Sequence, residues 1–327
     1  MISLGPSQPT PQNALTLMFG LPSRKGIRHL GGKVAVVTGA ANGIGRSLSM
    51  GLWDKGCHLA LVDLDEDGLA RLRQHLSRSR PAQRVTLHTA DVGDRDRMRD
   101  VSDEVVDAHS AVHVLINNAG IGYEAAFPQT SLADWDHVLS VNLWGVIHGC
   151  HFFLPHLAKV DRAHIVNLSS LFGIIGMPGQ AAYSASKFAV RGLSESLWEE
   201  LRATSVGLTI VHPAAVATGI MTRTKGDDPE LIQRMVRWFE THGIPPERAA
   251  TQIIRAIEKG SPRLRLTIDS TFADVMKRLM PVAGNKLITD VVIRAVGAED
   301  MRAKRIRQWR ETMVEGRPDA AKPRGGR

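Results

Sequence analysis

Thr38-Gly39-Ala40-Ala41-Asn42-Gly43-Ile44-Gly45 follows a β-branched run at residues 33–37 and precedes an amphipathic stretch at 43–55. This order of strand, glycine-rich turn and helix decides the fold. Glycines in such a turn permit tight backbone geometry, admit a pyrophosphate close to the main chain, and bring helix close to sheet. The helix that follows offers free N–H groups to an anion. The spacing is Gly-x-x-x-Gly-x-Gly, not the more widespread Gly-x-Gly-x-x-Gly.

Working outward, six further strand-like runs lie at 58–62, 85–90, 112–116, 164–168, 207–211 and 264–268. Helix-length amphipathic stretches separate them, including 95–108, 132–158 and 181–203. Strands alternating with helices predict βαβ crossovers and a parallel sheet covered on both faces. The expected fold class is α/β: a Rossmann-type, doubly wound sheet of seven parallel strands, with a C-terminal helical extension. The 327 residues suit one large core. Residues 1–30, with Pro6, Pro9, Pro11 and Pro22, read as an arm, and 31–270 as the nucleotide-binding catalytic domain. Residues 271–327 read as short helices (271–280 and 285–296) followed by a basic tail.

The net charge of +8 sits at the ends: 1–30 carry +3 and 301–327 carry +6, leaving 31–300 at −1. Solvated tails are the simple reading, with weak attraction to an anionic membrane or polyanion as the alternative; no specific nucleic-acid site is expected. Cys57 and Cys150 lie in apolar stretches, and a core this size needs no bridge, so a reducing, cytoplasmic setting is expected. No apolar run approaches the roughly 18 residues that span a bilayer. The apolar piece at 14–21 precedes Arg24, Lys25 and Arg28, the reverse of a secretory signal. No cluster has metal-ligand spacing, so no catalytic metal is expected; His151, His156 and His164 read as structural.

Asp63 closes the second run. A carboxylate there accepts hydrogen bonds from the ribose hydroxyls of NAD and repels a 2′-phosphate. Asn42 precedes Gly43 and Leu64 follows Asp63, so no basic residue favours NADP at either place. Capping of the following turn, beside Asp65, Glu66 and Asp67, is the structural alternative for Asp63. Farther on, Tyr183-Ser184-Ala185-Ser186-Lys187 lies in a helical stretch. Residues four apart share a face, and a nearby ammonium favours phenolate, so Tyr183 and Lys187 form a candidate general acid/base pair.

Over about residues 31–270 these motifs resemble the short-chain dehydrogenases/reductases. The resemblance rests on 38–45, Asp91-Val92, Asn117-Asn118-Ala119-Gly120, Asn142, Ser169-Ser170 and Tyr183-x-x-x-Lys187, in that order. It implies cofactor contacts from Gly39, Asn42, Gly43, Ile44, Gly45 and Asp63. Asp91 and Val92 should border the adenine, and Asn118, Ala119 and Gly120 should run beneath adenine and ribose. Val216 and Thr218 should meet the nicotinamide carboxamide, in a segment where Ala214 replaces the family's usual glycine. The resemblance further implies Tyr183 as general acid/base, and Lys187 as the group that holds the nicotinamide ribose and lowers the tyrosine pKa. Ser170 would orient the substrate oxygen and Asn142 would support a water relay, while strand alternation points Ser169 elsewhere.

The activity so implied is NAD-dependent hydride transfer between nicotinamide and a secondary alcohol or ketone. An NADP-dependent carbonyl reductase and a catalytically silent nucleotide sensor on the same fold stand as alternatives. Apolar residues after Thr218 and in the 171–177 loop point to a steroid-, terpenoid- or acyl-like substrate. Residues 220–245 should form a lid, with a helix starting at Asp227-Asp228-Pro229. Ala189, Leu193, Leu197 and Leu201 recur every four residues; in this family that helix forms dimer and tetramer interfaces, and an internal core face is the alternative. The extension can cover the cleft, meet a partner subunit or rest peripherally on a membrane.

Overall fold

The computed structural model describes residues 25–77, 82–300, 306–307 and 309–310. Each β-branched run forms a strand: β1 Val34–Thr38, β2 His58–Asp63, β3 Val85–Thr89, β4 Val114–Asn117, β6 Ala163–Leu168 and β7 Val206–His212, with β9 Arg263–Arg265 at the edge. Their order is β3-β2-β1-β4-β6-β7-β9, and every pairing is parallel. The chain therefore winds one way from β1 and the other way from β4, leaving a crevice beyond the strand ends where the order reverses.

Alternation along the strands feeds both layers of core. Ala35 and Val37 join helices α1 (Gly43–Asp54) and α2 (Glu66–Ser77) in one cluster, while Val36 joins α3 (Arg95–His109) on the other face. The expected helix at 132–158 is a single helical unit in three parts. α4 (Leu132–Leu139) runs through a π-helical turn, Ser140–Trp144, into α5 (Gly145–Leu157). Contrary to expectation, Leu132–Leu157 is long and apolar enough by composition to cross a membrane. Val146, Phe153 and Leu157 are buried in the core, however, and the turn delivers Asn142 to the interior.

A second sheet was not foreseen. β5 (Tyr123–Glu124) pairs in parallel with β8 (Lys225–Gly226), too short for any period to register. α6 (Ala181–Glu200) follows β6. α7 (Pro229–His242) starts where expected, with the Asp228 side chain accepting from Leu231 N at 3.1 Å. α8 (Pro246–Lys259) covers α1. The last residues of the expected arm are pinned to the body: Ile27 and Leu30 are buried, and Lys25 Nζ donates to the carbonyls of Leu201 and Arg202. Residues 1–24 of that arm and most of the basic tail lie outside the described residues. Cys57 and Cys150 are both buried free thiols, which burial pushes up to about 12 and about 11.

The seventh strand is shorter than its apolar run. Arg263–Arg265 is half-buried, and a capping box at Thr267 and Ser270 turns the chain into α9 (Ile268–Leu279), followed by α10 (Ala283–Ala295). The extension hangs on one carboxylate. Asp274 is buried at 1% exposure and accepts from Arg263 at 3.0 Å, from Arg265, and from Arg278 at 3.2 Å. Burial alone would raise its pKa, but the three guanidiniums outweigh that and hold it below the ordinary value. Asp274→Asn should cost about 3 kcal/mol, the low end for breaking a buried pair, because Arg265 and Arg278 keep some solvent. The folded carboxyl titrates below the unfolded one. Its stabilisation is therefore complete above about pH 4 and lost as pH falls further. Thermal melts across that range should show the wild type losing more stability in acid than Asp274→Asn; parallel curves would refute the assignment.

Candidate active site

A cavity of about 990 Å³ occupies the crevice at the strand ends. Among the expected site residues, all line it except Gly45 and Asn142, which stand immediately behind the wall. Gly39 has φ +65°, where a side chain would be strained, and a Cβ there would also press on Asn118 and Ala119. A Cβ on Gly45 would collide with the Gly39 carbonyl, so this glycine sets the approach of α1 to the turn. Asn42 occupies the N-cap position of α1 but makes no side-chain cap; its amide goes to Asp65 at 3.2 Å. The turn and the uncapped helix end suit a phosphate group.

Asp63 serves the turn as well as the strand end: its carboxylate accepts from Ala41 N at 2.8 Å and from Asp65 N at 3.0 Å. The capping alternative is thus part of what Asp63 does. Asp65 accepts from Gly68 N, the first cause holding it below its ordinary value, with Asn42 second. Arg223, in the segment expected to form a lid, also lines the cavity and adds a small lowering effect on Asp65. Local sequence could not show this cation, since it arrives from 158 positions away along the chain.

Three asparagines fix the backbone that leaves β4. Asn118 Nδ2 donates to the carbonyls of Thr38 and Gly39, and Thr38 Oγ1 accepts from Asn118 N and Ala119 N. Asn117 donates to Asn167 at 2.8 Å, which donates to Ser194 of α6 at 3.0 Å. Asn142, fully buried in the π-turn, accepts from Ile121 N at 2.8 Å and donates to Ile121 O at 3.0 Å. A Cβ on Gly120 would sit 3.0 Å from Asn142 Oδ1 and 3.3 Å from Lys187 Nζ, so these two polar groups flank one point.

Ser170, Tyr183 and Lys187 meet on the opposite wall. Ser170 hydrogen-bonds Tyr183 and its Oγ accepts from Phe172 N at 3.1 Å. Ser169 turns away, as alternation requires, and donates to the Lys187 carbonyl at 2.9 Å. Phe172 stands edge-on to the Tyr183 ring with centroids 6.2 Å apart. Lys187 Nζ donates to Leu168 O at 3.1 Å and lies 5.8 Å from the Tyr183 ring centroid.

The electrostatics differ from the expected lowering of the tyrosine pKa. Burial pushes the Tyr183 phenol above its ordinary value, and the hydrogen bond with Ser170 is what pulls it back. Burial also lowers Lys187 to about 8. The ammonium sits over the ring face instead of at the hydroxyl, and desolvation of both groups outweighs their attraction.

The C-terminal hairpin covers the cleft, one of the three places expected for it, whereas His212 carries no signal in the sequence. His212 Nδ1 donates to the Ser170 carbonyl at 3.1 Å; burial holds the imidazole near 4, so it is neutral at pH 7 and carries its proton on Nδ1. Ala214, in place of the expected glycine, needs no left-handed backbone and packs against Leu171, Ile288 and their neighbours. Val216 and Thr218 still line the cavity. Its far wall comes from Phe272, Ile288, Val291 and Val292 of the extension and from Leu231 and Met235 of α7.

Known proteins resemble this chain in sequence and fold. A family model described as short chain dehydrogenase matches residues 33–229. The chain is 38% identical over 264 residues to SadH of Mycobacterium tuberculosis, a protein named as an oxidoreductase, covering 79% of this chain and 94% of that one. It is 34% identical over 190 residues to the 3-oxoacyl-[acyl-carrier-protein] reductase FabG of Thermotoga maritima, covering 58% and 76%. A short chain dehydrogenase/reductase from Burkholderia phymatum, solved in complex with NAD, superposes with a TM-score of 0.73 at 30% identity, over 77% of this chain and 95% of that one. The chain belongs to the short-chain dehydrogenase/reductase family of oxidoreductases.

Proposed function

We propose that the protein interconverts an apolar secondary alcohol and its ketone with NAD as the preferred cofactor. One observation carries this reading: Ser170, Tyr183 and Lys187 converge on an apolar cavity whose other end is the glycine turn and Asp63. Gly39, Asn42, Gly43, Ile44 and Gly45 would hold the pyrophosphate, Asp63 the adenine ribose, Asp91 and Val92 the adenine. Asn118, Ala119 and Gly120 would support the ribose, with Val216 and Thr218 at the carboxamide. Bound nicotinamide supplies the hydride donor or acceptor.

The protein's own groups do the rest. Tyr183 gives its phenolic proton to the carbonyl oxygen during reduction and takes it back during oxidation. The Ser170 hydroxyl donates a hydrogen bond to that oxygen as charge develops on it. His212 positions Ser170 through its carbonyl, and Lys187 holds the ribose. Asn142 fixes Ile121 and stands where a water could pass a proton on from Lys187. Buried free thiols support a reducing, cytoplasmic setting. Self-association would use the exposed Trp144, at the end of the π-turn, and Phe188 of α6, whereas Leu193 and Leu197 pack on the core, as the internal alternative has it.

Arg223 favours a second reading, NADP use, because it lines the cavity that Asp63 and Asp65 also line, where a cation can meet a 2′-phosphate. The two separate by measuring NADH and NADPH binding. NADH should bind more tightly, Asp63→Ala should weaken NADH at least about tenfold by removing its ribose acceptors, and Arg223→Ala should leave NADH binding intact. NADPH preference that Arg223→Ala abolishes would establish the second reading instead.

Tyr183→Phe should lower kcat about a thousandfold with NADH binding unchanged; turnover that survives the change would remove Tyr183 from the chemistry. Reduction of a ketone should hold level through neutral pH, because burial keeps the phenol protonated. It should fall above about pH 8, where Lys187 loses its proton. Oxidation needs the phenolate that burial disfavours, so it should rise with pH until Lys187 loses its charge at about pH 8. A reduction profile that is flat through pH 8–10 would sink the assigned role of the Lys187 charge.

A further inference from the structure

The outer face of α9 and α10 is apolar where a surface helix should be polar. Ile268, Phe272, Val275 and Leu279 recur at helical spacing along α9 and are 87%, 53%, 45% and 74% exposed. Val282 in the connecting turn is 85% exposed, and Leu287 and Val291 continue the face on α10 at 46% and 55%. Nothing in the described residues covers this face. Single exposed apolar residues need no explanation, but a contiguous run of this kind marks a contact surface.

The position of the face argues for one occupant. Ile268, Phe272 and Val291 are exposed and also line the cavity, so the apolar surface runs continuously over the rim into the substrate space. Protein packed over that rim would close the way in. A lipid surface would leave it open toward an apolar phase. Charge agrees. Lys286 and Arg294 are exposed on α10, against Asp269 at the rim and half-buried Asp290. The chain that leaves α10 carries +4 over residues 296–327, with Glu299 and Asp300 preceding a stretch at 301–327 that carries +6. An apolar stripe followed along the chain by a basic segment is the combination that holds a protein on an anionic leaflet, since either signal alone binds weakly.

We propose that this face docks on an anionic lipid bilayer, with the mouth of the cavity turned toward the acyl chains. Asp274 and its arginines fix the hairpin to the sheet edge, so docking also fixes the orientation of the catalytic body. The benefit to an apolar substrate rests on the function proposed above, whereas docking itself is read without turnover, so either can fail alone.

The test is flotation of the full-length protein with vesicles of phosphatidylcholine, with and without about a third phosphatidylglycerol. The protein should float with the anionic vesicles at least about tenfold better than with phosphatidylcholine alone, and high salt should weaken it. Leu279→Asp with Val282→Asp, both outside the cavity, should lose flotation at least about tenfold while reduction of a water-soluble ketone stays unchanged. The milder pair Leu279→Gln with Val282→Gln should fall in the same direction, which guards against misfolding. Absence of wild-type flotation would overturn the proposal. So would flotation that survives both variants, which would place binding in the basic segment alone. Sedimentation without lipid covers the remaining occupant: a wild-type oligomer that Leu279→Asp with Val282→Asp dissociates would make this face a contact between two copies, also overturning it.

Discussion

The backbone between Asn117 and Ile121 has to satisfy its polar groups where a central parallel strand ends, and the site is organised around how it does so. Strand ends in a doubly wound sheet leave N–H and C=O groups that the ladder no longer pairs. Asn118 takes up those of the glycine turn, Asn117 reaches α6 through Asn167, and Asn142 closes both groups of Ile121. One short strip thereby ties together the phosphate-sized turn, the helix bearing Tyr183 and Lys187, and the π-turn. Displacing any of the three asparagines would strand buried polar groups, each costing about 1–3 kcal/mol.

Burial sets the acid–base character of the site. Tyr183 and Lys187 are pushed in opposite directions by the same loss of water, the phenol toward keeping its proton and the amine toward losing its own. Ser170 is the counterweight for the phenol, and its placement depends on neutral His212 below it. The wall that supplies these polar groups faces one made largely of lid and extension side chains. Polarity at one side and apolar surface at the other orient a ligand without a charged anchor.

Much of this was legible in the chain because it is local. The glycine turn, the strand runs and the Tyr183–Lys187 spacing each fit within one element, where period and turn chemistry speak directly. What was not legible depends on elements that meet only after folding. The π-turn at Asn142 adds a backbone adjustment that no apolar period records. β5 and β8 are two residues each, too short to alternate. Arg263-Leu264-Arg265 reads as a charged strand end, and only Asp274, nine positions beyond Arg265, explains why both arginines belong there. The direction of the Tyr183 shift needed knowledge of its burial, whereas spacing spoke only of its neighbour. Arg223 and Asp65 share a cavity wall only after folding, which leaves no trace in either segment.

The segment between β7 and α8 leaves and re-enters the body at one place. Val216 and Ile244 form a parallel bridge, Ala217 N donates to Ile244 O at 3.0 Å, and Ile244 N donates to Ala215 O at 3.1 Å. A segment whose two ends are clamped together imposes no span on what lies between, and closing entropy grows only slowly with its length. Between those ends the segment is tied to the body once more, where β8 pairs with β5 and Asp227 N donates to Glu124 O at 3.1 Å, so a segment of another length fits this clamp only if it keeps that pairing. Length can then vary on either side of β8 while the glycine turn, Tyr183 and Lys187, which lie on other elements, keep their places.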